Sequence, residues 1–128
     1  MKRDLDLIRK ILLALESQEH GFFQEPLVID GHSEEQIGYH VHLLGEAGLL
    51  KVGDHTHLQS LSPEAFPVSI TWAGHEFIDA AKDESVWAKA KAKVLKPAGG
   101  VAFDVLLEWL KAEAKRQLGL LLPPSGGV

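Results

Sequence analysis

Residues 33–50, SEEQIGYHVHLLGEAGLL, repeat apolar residues at a helical spacing. At about 100° per residue, Ile37, Val41 and Leu44 fall within a narrow arc, and this spacing predicts an amphipathic helix with one buried side. His40 lies beside that arc, so we expect it to be a partly buried core residue. The opposite, outward side is formed by Glu35, Tyr39, His42 and Glu46.

The sequence also indicates where this helix begins and ends. Ser33 and Gln36 have the spacing of a capping box, in which each side chain bonds to the backbone amide of the other residue. Gly48 suits the left-handed position that follows a helix, and residues 49–52 are typical of a strand. A helix that passes directly into a strand is typical of the third helix of a winged-helix domain.

Before residue 33 the pattern predicts one helix and one short strand. Residues 4–19 have one apolar side, and Asp4 suits the positive end of a helix dipole. Residues 27–29, Leu-Val-Ile, predict a strand that is closed by an Asp-Gly turn. A full second helix does not fit in this space, so the predicted helix-turn-helix is abbreviated.

After residue 52 we expect a hairpin followed by another helix. Residues 54–67 form the predicted wing, and residues 68–70 form the returning strand. The helix after it places Trp72 and Phe77 in the core, with Gly74 where the helix approaches the sheet closely.

Two further helices are predicted, over residues 83–95 and 101–118. The last helix has one broad apolar side, made of Phe103, Leu106, Leu107, Leu110 and Ala114. A second, thinner apolar row follows its other side, made of Val105, Trp109 and Ala112. A helix that packs on one side needs apolar residues on that side only. We therefore expect the second row to contact another chain or a neighbouring helix.

Together these elements predict a mainly α protein with a small antiparallel β-sheet (α+β). The expected arrangement is a winged helix-turn-helix-like domain, residues 1–82, with a C-terminal helical extension, residues 83–118, packed on it as one compact unit. Residues 119–128 are expected to be a flexible tail. A chain of 128 residues is long enough to bury a core of its own.

The chain has a net charge of −5, and its charged residues are unevenly distributed along the sequence. Between His20 and Asp79 there are nine acidic residues, one lysine and all seven histidines, whereas residues 80–128 carry a net charge of +3. The chain has no cysteine, no signal-peptide pattern and no apolar stretch long enough for a membrane span. We therefore expect a cytoplasmic protein.

Three stretches resemble an uncharacterised family of short bacterial and phage proteins, a domain of unknown function. They are the opening MKRDLDLIRKILLALE, the helix IGYHVHLLGEAGLL of residues 37–50, and the segment TWAGHEFID within residues 71–87. The resemblance implies a winged-helix-like fold and a phage or prophage setting. It implies no reaction and no catalytic residue.

The outward side of the third helix favours a protein partner over DNA. A winged-helix domain places that helix in the major groove, where Lys and Arg must neutralise phosphates, and this side has neither. We therefore expect protein binding through Glu35, Tyr39, His42 and Glu46, or through Val105 and Trp109, with self-association through the last helix as one option.

The alternative is a DNA-binding transcriptional regulator that uses the wing and the basic surfaces. Gln36 and Tyr39 could then contact bases. The basic residues concerned are Lys89, Lys93 and Lys96 at helical spacing, and Lys2, Arg3, Arg9 and Lys10 at the N-terminus.

The histidines give little support for a metal site or an enzyme. His55 and His57 would point to one side of a strand, and Asp54 is the nearest candidate for a third ligand, so they are a weak candidate metal pair. His75 and Glu76 diverge by about 100° on a helix, which is poor geometry for an acid-base pair. We expect no enzymatic activity and no cofactor.

Overall fold

The computed structural model describes residues 1–95 and 102–121. The chain forms two compact units, and the boundary between them lies between Ile78 and Asp79. The sequence pattern had placed this boundary after residue 82. The described part is mainly helical with one two-stranded antiparallel sheet, which confirms the predicted α+β class. Its elements are α1 (Leu5–Glu16), α2 (Glu34–Glu46), β1 (Leu50–Asp54), β2 (Ala65–Ile70), α3 (Trp72–Ala81), α4 (Glu84–Ala90) and α5 (Phe103–Leu121).

Helix α1 begins at an aspartate cap and ends earlier than predicted. The Asp4 carboxylate accepts from the backbone N–H of Leu7 at 3.1 Å, which satisfies one of the free amides of the first turn. The helix ends at Glu16, and the Ser17 hydroxyl donates to the carbonyl of Ala14 at 2.7 Å. The buried side consists of Leu7, Ile8, Ile11, Leu12 and Leu15.

Helix α2 has the predicted ends and the predicted buried side. The Ser33 hydroxyl accepts from the amide of Gln36 at 3.1 Å, and the Gln36 side chain accepts from the amide of Ser33 at 2.9 Å. Gly48 has φ of 76°, in the left-handed region that favours glycine. Ile37, Val41 and Leu44 are buried. The capping box confirms the predicted start of the helix.

The strand predicted at residues 27–29 is wrong. These residues are irregular, and Val28 is 77% exposed. A three-residue run forms a strand only when a neighbouring strand bonds to its backbone. In the segment between α1 and α2, the residue that bonds to β2 is Phe23, whose amide donates to the carbonyl of Val68 at 3.4 Å.

Strands β1 and β2 form a hairpin in which Leu50 faces Ile70 and Asp54 faces Ala65. The register shifts between Lys51 and Val52, which marks a β-bulge.

The loop over residues 55–64 is closed by two hydrogen bonds of one threonine. The Thr56 hydroxyl donates to the carbonyl of Glu64 at 3.2 Å and accepts from its amide at 2.9 Å. This loop and the adjoining ends of the two strands cover residues 54–67, the range predicted for the wing.

Helix α3 lies close to the end of the sheet because Gly74 has no side chain. A Cβ on Gly74 would lie 2.1 Å from the carbonyl oxygen of Leu49, so the predicted close approach is confirmed. Phe77 is fully buried as predicted, but Trp72 is 81% exposed, so its predicted place in the core is wrong. At about 100° per residue, position 72 points some 200° away from position 74, which faces the sheet.

In the second unit α4 is capped by Asp83 and continues as a π-helical turn, Lys91–Leu95. Helix α5 packs on α4, and Leu106 and Leu110 of α5 are fully buried. Ala114 is exposed, contrary to prediction, because Glu113 turns toward α4 in its place. Residues 119–121 of the predicted tail belong to α5, and the remainder lies outside the described residues.

No helix within residues 1–95 or 102–121 has the length and apolar character needed to cross a membrane.

Candidate functional site

Two glycines of α2 determine which side of the helix remains open. A Cβ on Gly45 would lie 2.5 Å from Cγ2 of Val52 in β1, and a Cβ on Gly38 would lie 3.3 Å from Cβ of Glu64 at the end of the hairpin loop. The two glycines are seven residues apart and therefore share one side of the helix, where the hairpin packs closely. We call the side turned away from the hairpin and from the core the outward α2 face; it comprises Glu35, Tyr39, His42 and Glu46.

On the outward α2 face, the His42 side chain contacts both Tyr39 and Glu46. The rings of Tyr39 and His42 are stacked, with centroids 6.3 Å apart and planes 24° apart. His42 Nε2 lies 3.3 Å from Glu46 Oε1. The imidazole thus lies between a phenol and a carboxylate, and the Tyr39 ring is held in place at a partly exposed position.

A further acidic group from β1 contributes to the charge near His42. The pKa of Asp54 is lowered, mainly because its carboxylate accepts a hydrogen bond from the amide of Thr56, with a smaller contribution from the charge of His42. This keeps Asp54 ionised at neutral pH. The surface formed by α2 and the end of β1 therefore carries several carboxylates and no lysine or arginine from α2.

His40 has a structural role, as expected. It is 1% exposed, its Nδ1 lies 2.7 Å from the carbonyl oxygen of Gln36, and its Nε2 accepts from the amide of Asp4 at 2.9 Å. Because a carbonyl oxygen only accepts, Nδ1 carries the proton and the ring is neutral. The His40 ring therefore joins the start of α1 to α2, while His42 belongs to the outward side.

The residues predicted for the DNA alternative are partly engaged in other contacts. Gln36 uses its side-chain oxygen in the capping box. Lys89 lies 3.4 Å from Glu113, and Arg9 is buried. Lys93 is exposed in the π-helical turn, whose wider spacing interrupts the regular helical row, and Lys96 lies outside the described residues.

The candidate metal pair lies on the hairpin. The rings of His55 and His57 are 6.5 Å apart and perpendicular, and both residues are exposed. The Asp54 carboxylate accepts from the amide of Thr56 at 3.0 Å. Within the described ranges, no three His, Cys, Asp or Glu side chains are placed to hold a metal ion.

The second predicted surface lies on α5. Val105 is 50% exposed, Ala112 is exposed and Trp109 is partly exposed, so the thinner apolar row remains accessible in the second unit.

Trp72, which the sequence pattern placed in the core, lies on the surface. The indole Nε1 of Trp72 donates to Glu76 Oε1 at 2.6 Å, which holds the ring along the surface of α3. The four-residue spacing of Trp72 and Glu76, together with Gly74 on the other side, is the signal that could have placed this ring outside.

Comparison with known proteins gives a family and a relative. The model of a hypothetical protein family, DUF2513, matches residues 2–101. An uncharacterized protein of Haemophilus influenzae is similar, with 36% identity over 109 residues that cover 83% of this chain and 89% of the relative. No solved structure matches. The chain belongs to the DUF2513 family, a family without an assigned function, as the sequence resemblance predicted.

Proposed function

We propose that this chain is a non-enzymatic winged-helix protein that binds another protein through the outward α2 face. The observation that carries the proposal is the row of Tyr39, His42 and Glu46 on a helix side without lysine or arginine. The Tyr39 ring is stacked on His42, and His42 Nε2 lies 3.3 Å from Glu46 Oε1. An aromatic ring held in this way loses little side-chain entropy on binding, which favours an anchor role.

The winged-helix part of the proposal is supported by the order of the elements. A capped helix passes through a left-handed glycine directly into an antiparallel hairpin, and the hairpin packs against the glycine side of that helix. The sequence resemblance supports a phage or prophage setting.

The same face is unfavourable for a DNA duplex. Carboxylates of Glu35, Glu46 and Asp54 would approach phosphates with no lysine or arginine of α2 beside them. A DNA-binding regulator would have to rely on cations elsewhere, and Lys89 already neutralises Glu113.

A DNA-binding measurement separates the two functions. We expect no saturable binding of a labelled duplex at low salt, and no change when Lys89, Lys93 and Lys96 are replaced by Glu. A regulator would instead bind, lose affinity steeply with added salt and fail after this replacement.

Partner capture from the native host provides the positive test. Tyr39→Ala should lower recovery of the bound protein at least tenfold, since an interface aromatic contributes strongly to affinity. Phe22→Ala removes an aromatic ring that is 70% exposed on the connection before α2, and it should leave recovery unchanged. Equal recovery with wild type and Tyr39→Ala would contradict the proposal.

A further inference from the structure

The outward side of α5 presents an apolar row that the second unit leaves accessible. Val105, Trp109 and Ala112 follow one another at spacings of four and three residues and so share one side of the helix. Leu106 and Leu110, which are fully buried, lie about 60° and 100° further round the helix from Trp109, on the side of the unit's own core. A partly exposed tryptophan between two small apolar residues is typical of an interface centre.

Charged residues beside this row are separated by sign along the helix. Asp104 and Glu108 lie in the N-terminal half, and Lys111 and Lys115 lie in the C-terminal half, all within an arc of about 60° next to the row. A parallel two-fold copy of the helix would leave the two charged flanks on opposite sides of the interface, without contact between them. An antiparallel copy would place acids opposite bases over the whole length.

Side-chain size agrees with the same alignment. The antiparallel arrangement that sets Trp109 opposite Ala112 of a second copy also brings Asp104 near Lys115 and Glu108 near Lys111. The large ring then packs over a small side chain on both sides of a two-fold axis, as a self-complementary interface requires.

We propose that α5 binds a second copy of this chain in antiparallel orientation, through Val105, Trp109 and Ala112. This interface shares no residue with the outward α2 face, so each proposal can fail without the other. The row is short and would bury less than the roughly 800 Å² of surface per partner that is typical of a stable interface. We therefore expect a dissociation constant of the dimer in the micromolar range.

Sedimentation equilibrium from low micromolar to millimolar concentration tests the association. The mass should rise from that of one 14.0 kDa chain toward twice that value. Trp109→Ala should weaken association at least tenfold. Trp72→Ala is the matched control, because it removes an exposed tryptophan from α3 and should leave the dissociation constant unchanged. A wild-type protein that stays monomeric at millimolar concentration, or a dimer that Trp72→Ala disrupts, would overturn the proposal.

Cysteine cross-linking tests the orientation and does not depend on the Trp109 variant folding. The chain has no cysteine, so Asp104→Cys and Lys115→Cys can be introduced as single thiols. Under mild oxidation, a mixture of the two variants should give a mixed disulfide-linked dimer, and Asp104→Cys alone should give little. Efficient linkage of Asp104→Cys to itself, or no linkage in the mixture, would refute the antiparallel interface.

Discussion

At a few positions the surrounding contacts allow only one type of residue, and His40 is the clearest example. Its neutral ring accepts from the amide of Asp4 and donates to the carbonyl of Gln36 while almost fully buried. Without the ring, the Asp4 amide at the start of α1 would lose its acceptor and a cavity would open between α1 and α2.

We expect His40→Ala to lower the free energy of unfolding by about 3 kcal/mol, measured by urea denaturation. His42→Ala is the matched control. Its side chain is partly exposed and contacts one surface carboxylate, that of Glu46, so the loss should stay within about 0.5 kcal/mol. Similar losses for the two variants would contradict the structural role of His40.

Gly74 is the second residue with a specific requirement. A methyl group there would meet the carbonyl oxygen of Leu49 at 2.1 Å and Cγ2 of Ile70 at 2.8 Å, so α3 would have to move away from the sheet. Gly74→Ala should therefore lower the free energy of unfolding by about 2 kcal/mol or more. Gly21→Ala, at a site with no atom within 4 Å of the added methyl, should be neutral or slightly stabilising in the same denaturation series.

At the scale of elements, the Glu113 carboxylate of α5 is bonded mainly within its own helix and also contacts Lys89 of α4. Hydrogen bonds and the positive charge of Arg116, with further hydrogen bonds from Lys89 and Gln117, lower the pKa of Glu113 from 4.5 to about 2. Arg116 Nη2 lies 2.6 Å from Glu113 Oε1.

The sign of the resulting pH dependence follows from this lowered pKa. Above pH 4.5 Glu113 is ionised in both states and its contribution to stability is complete. Between pH 4.5 and about 2 the unfolded chain binds a proton that the folded chain does not, so stability falls as the pH falls.

Near pH 3, unfolding of the wild type should therefore take up about one more proton than unfolding of Glu113→Gln. Urea denaturation of both proteins between pH 7 and pH 2.5 gives this difference as a difference in slope. Glu25→Gln, at an exposed position of the connection after α1, should follow the wild-type slope. Parallel slopes for wild type and Glu113→Gln would contradict the assigned interaction.

The sequence predicted those elements whose signals are local. The capping box, the left-handed Gly48 and the 3.6-residue period of Ile37, Val41 and Leu44 specify α2 without reference to the rest of the chain. The strand prediction at residues 27–29 failed because pairing depends on a partner that a local pattern does not contain. The prediction for Trp72 was wrong because its hydrophobicity favours burial, whereas its helical angle relative to Gly74 turns it away from the sheet.

The candidate site was predictable in composition but not in arrangement. Glu35, Tyr39, His42 and Glu46 follow from the helical period as one side of α2. The stacking of Tyr39 on His42 depends on side-chain conformation, and the packing of Gly38 and Gly45 against the hairpin depends on residues far away in the sequence. Similarly, the lysine row lost its regular spacing because the π-helical turn of residues 91–95 has no simple sequence signature.

At the scale of the whole molecule, the chain has opposite charge in its two parts, with acids concentrated between residues 20 and 79 and bases after residue 80. The outward α2 face lies in the acidic part and the apolar row of α5 lies in the basic part. We therefore expect two kinds of contact from one chain, with another protein through α2 and with a second copy through α5.

The central claim is that the outward α2 face binds protein and not nucleic acid, and photo-cross-linking from position 39 tests it most directly. A photoreactive phenylalanine analogue replaces Tyr39, or Phe22 as the control position, in the native host. We expect a nuclease-resistant protein adduct from position 39 only. Glu46→Lys should abolish it, and Glu19→Lys, the same charge change outside the face, should preserve it. A nuclease-sensitive adduct from position 39, or equal protein adducts from both positions, would contradict the claim.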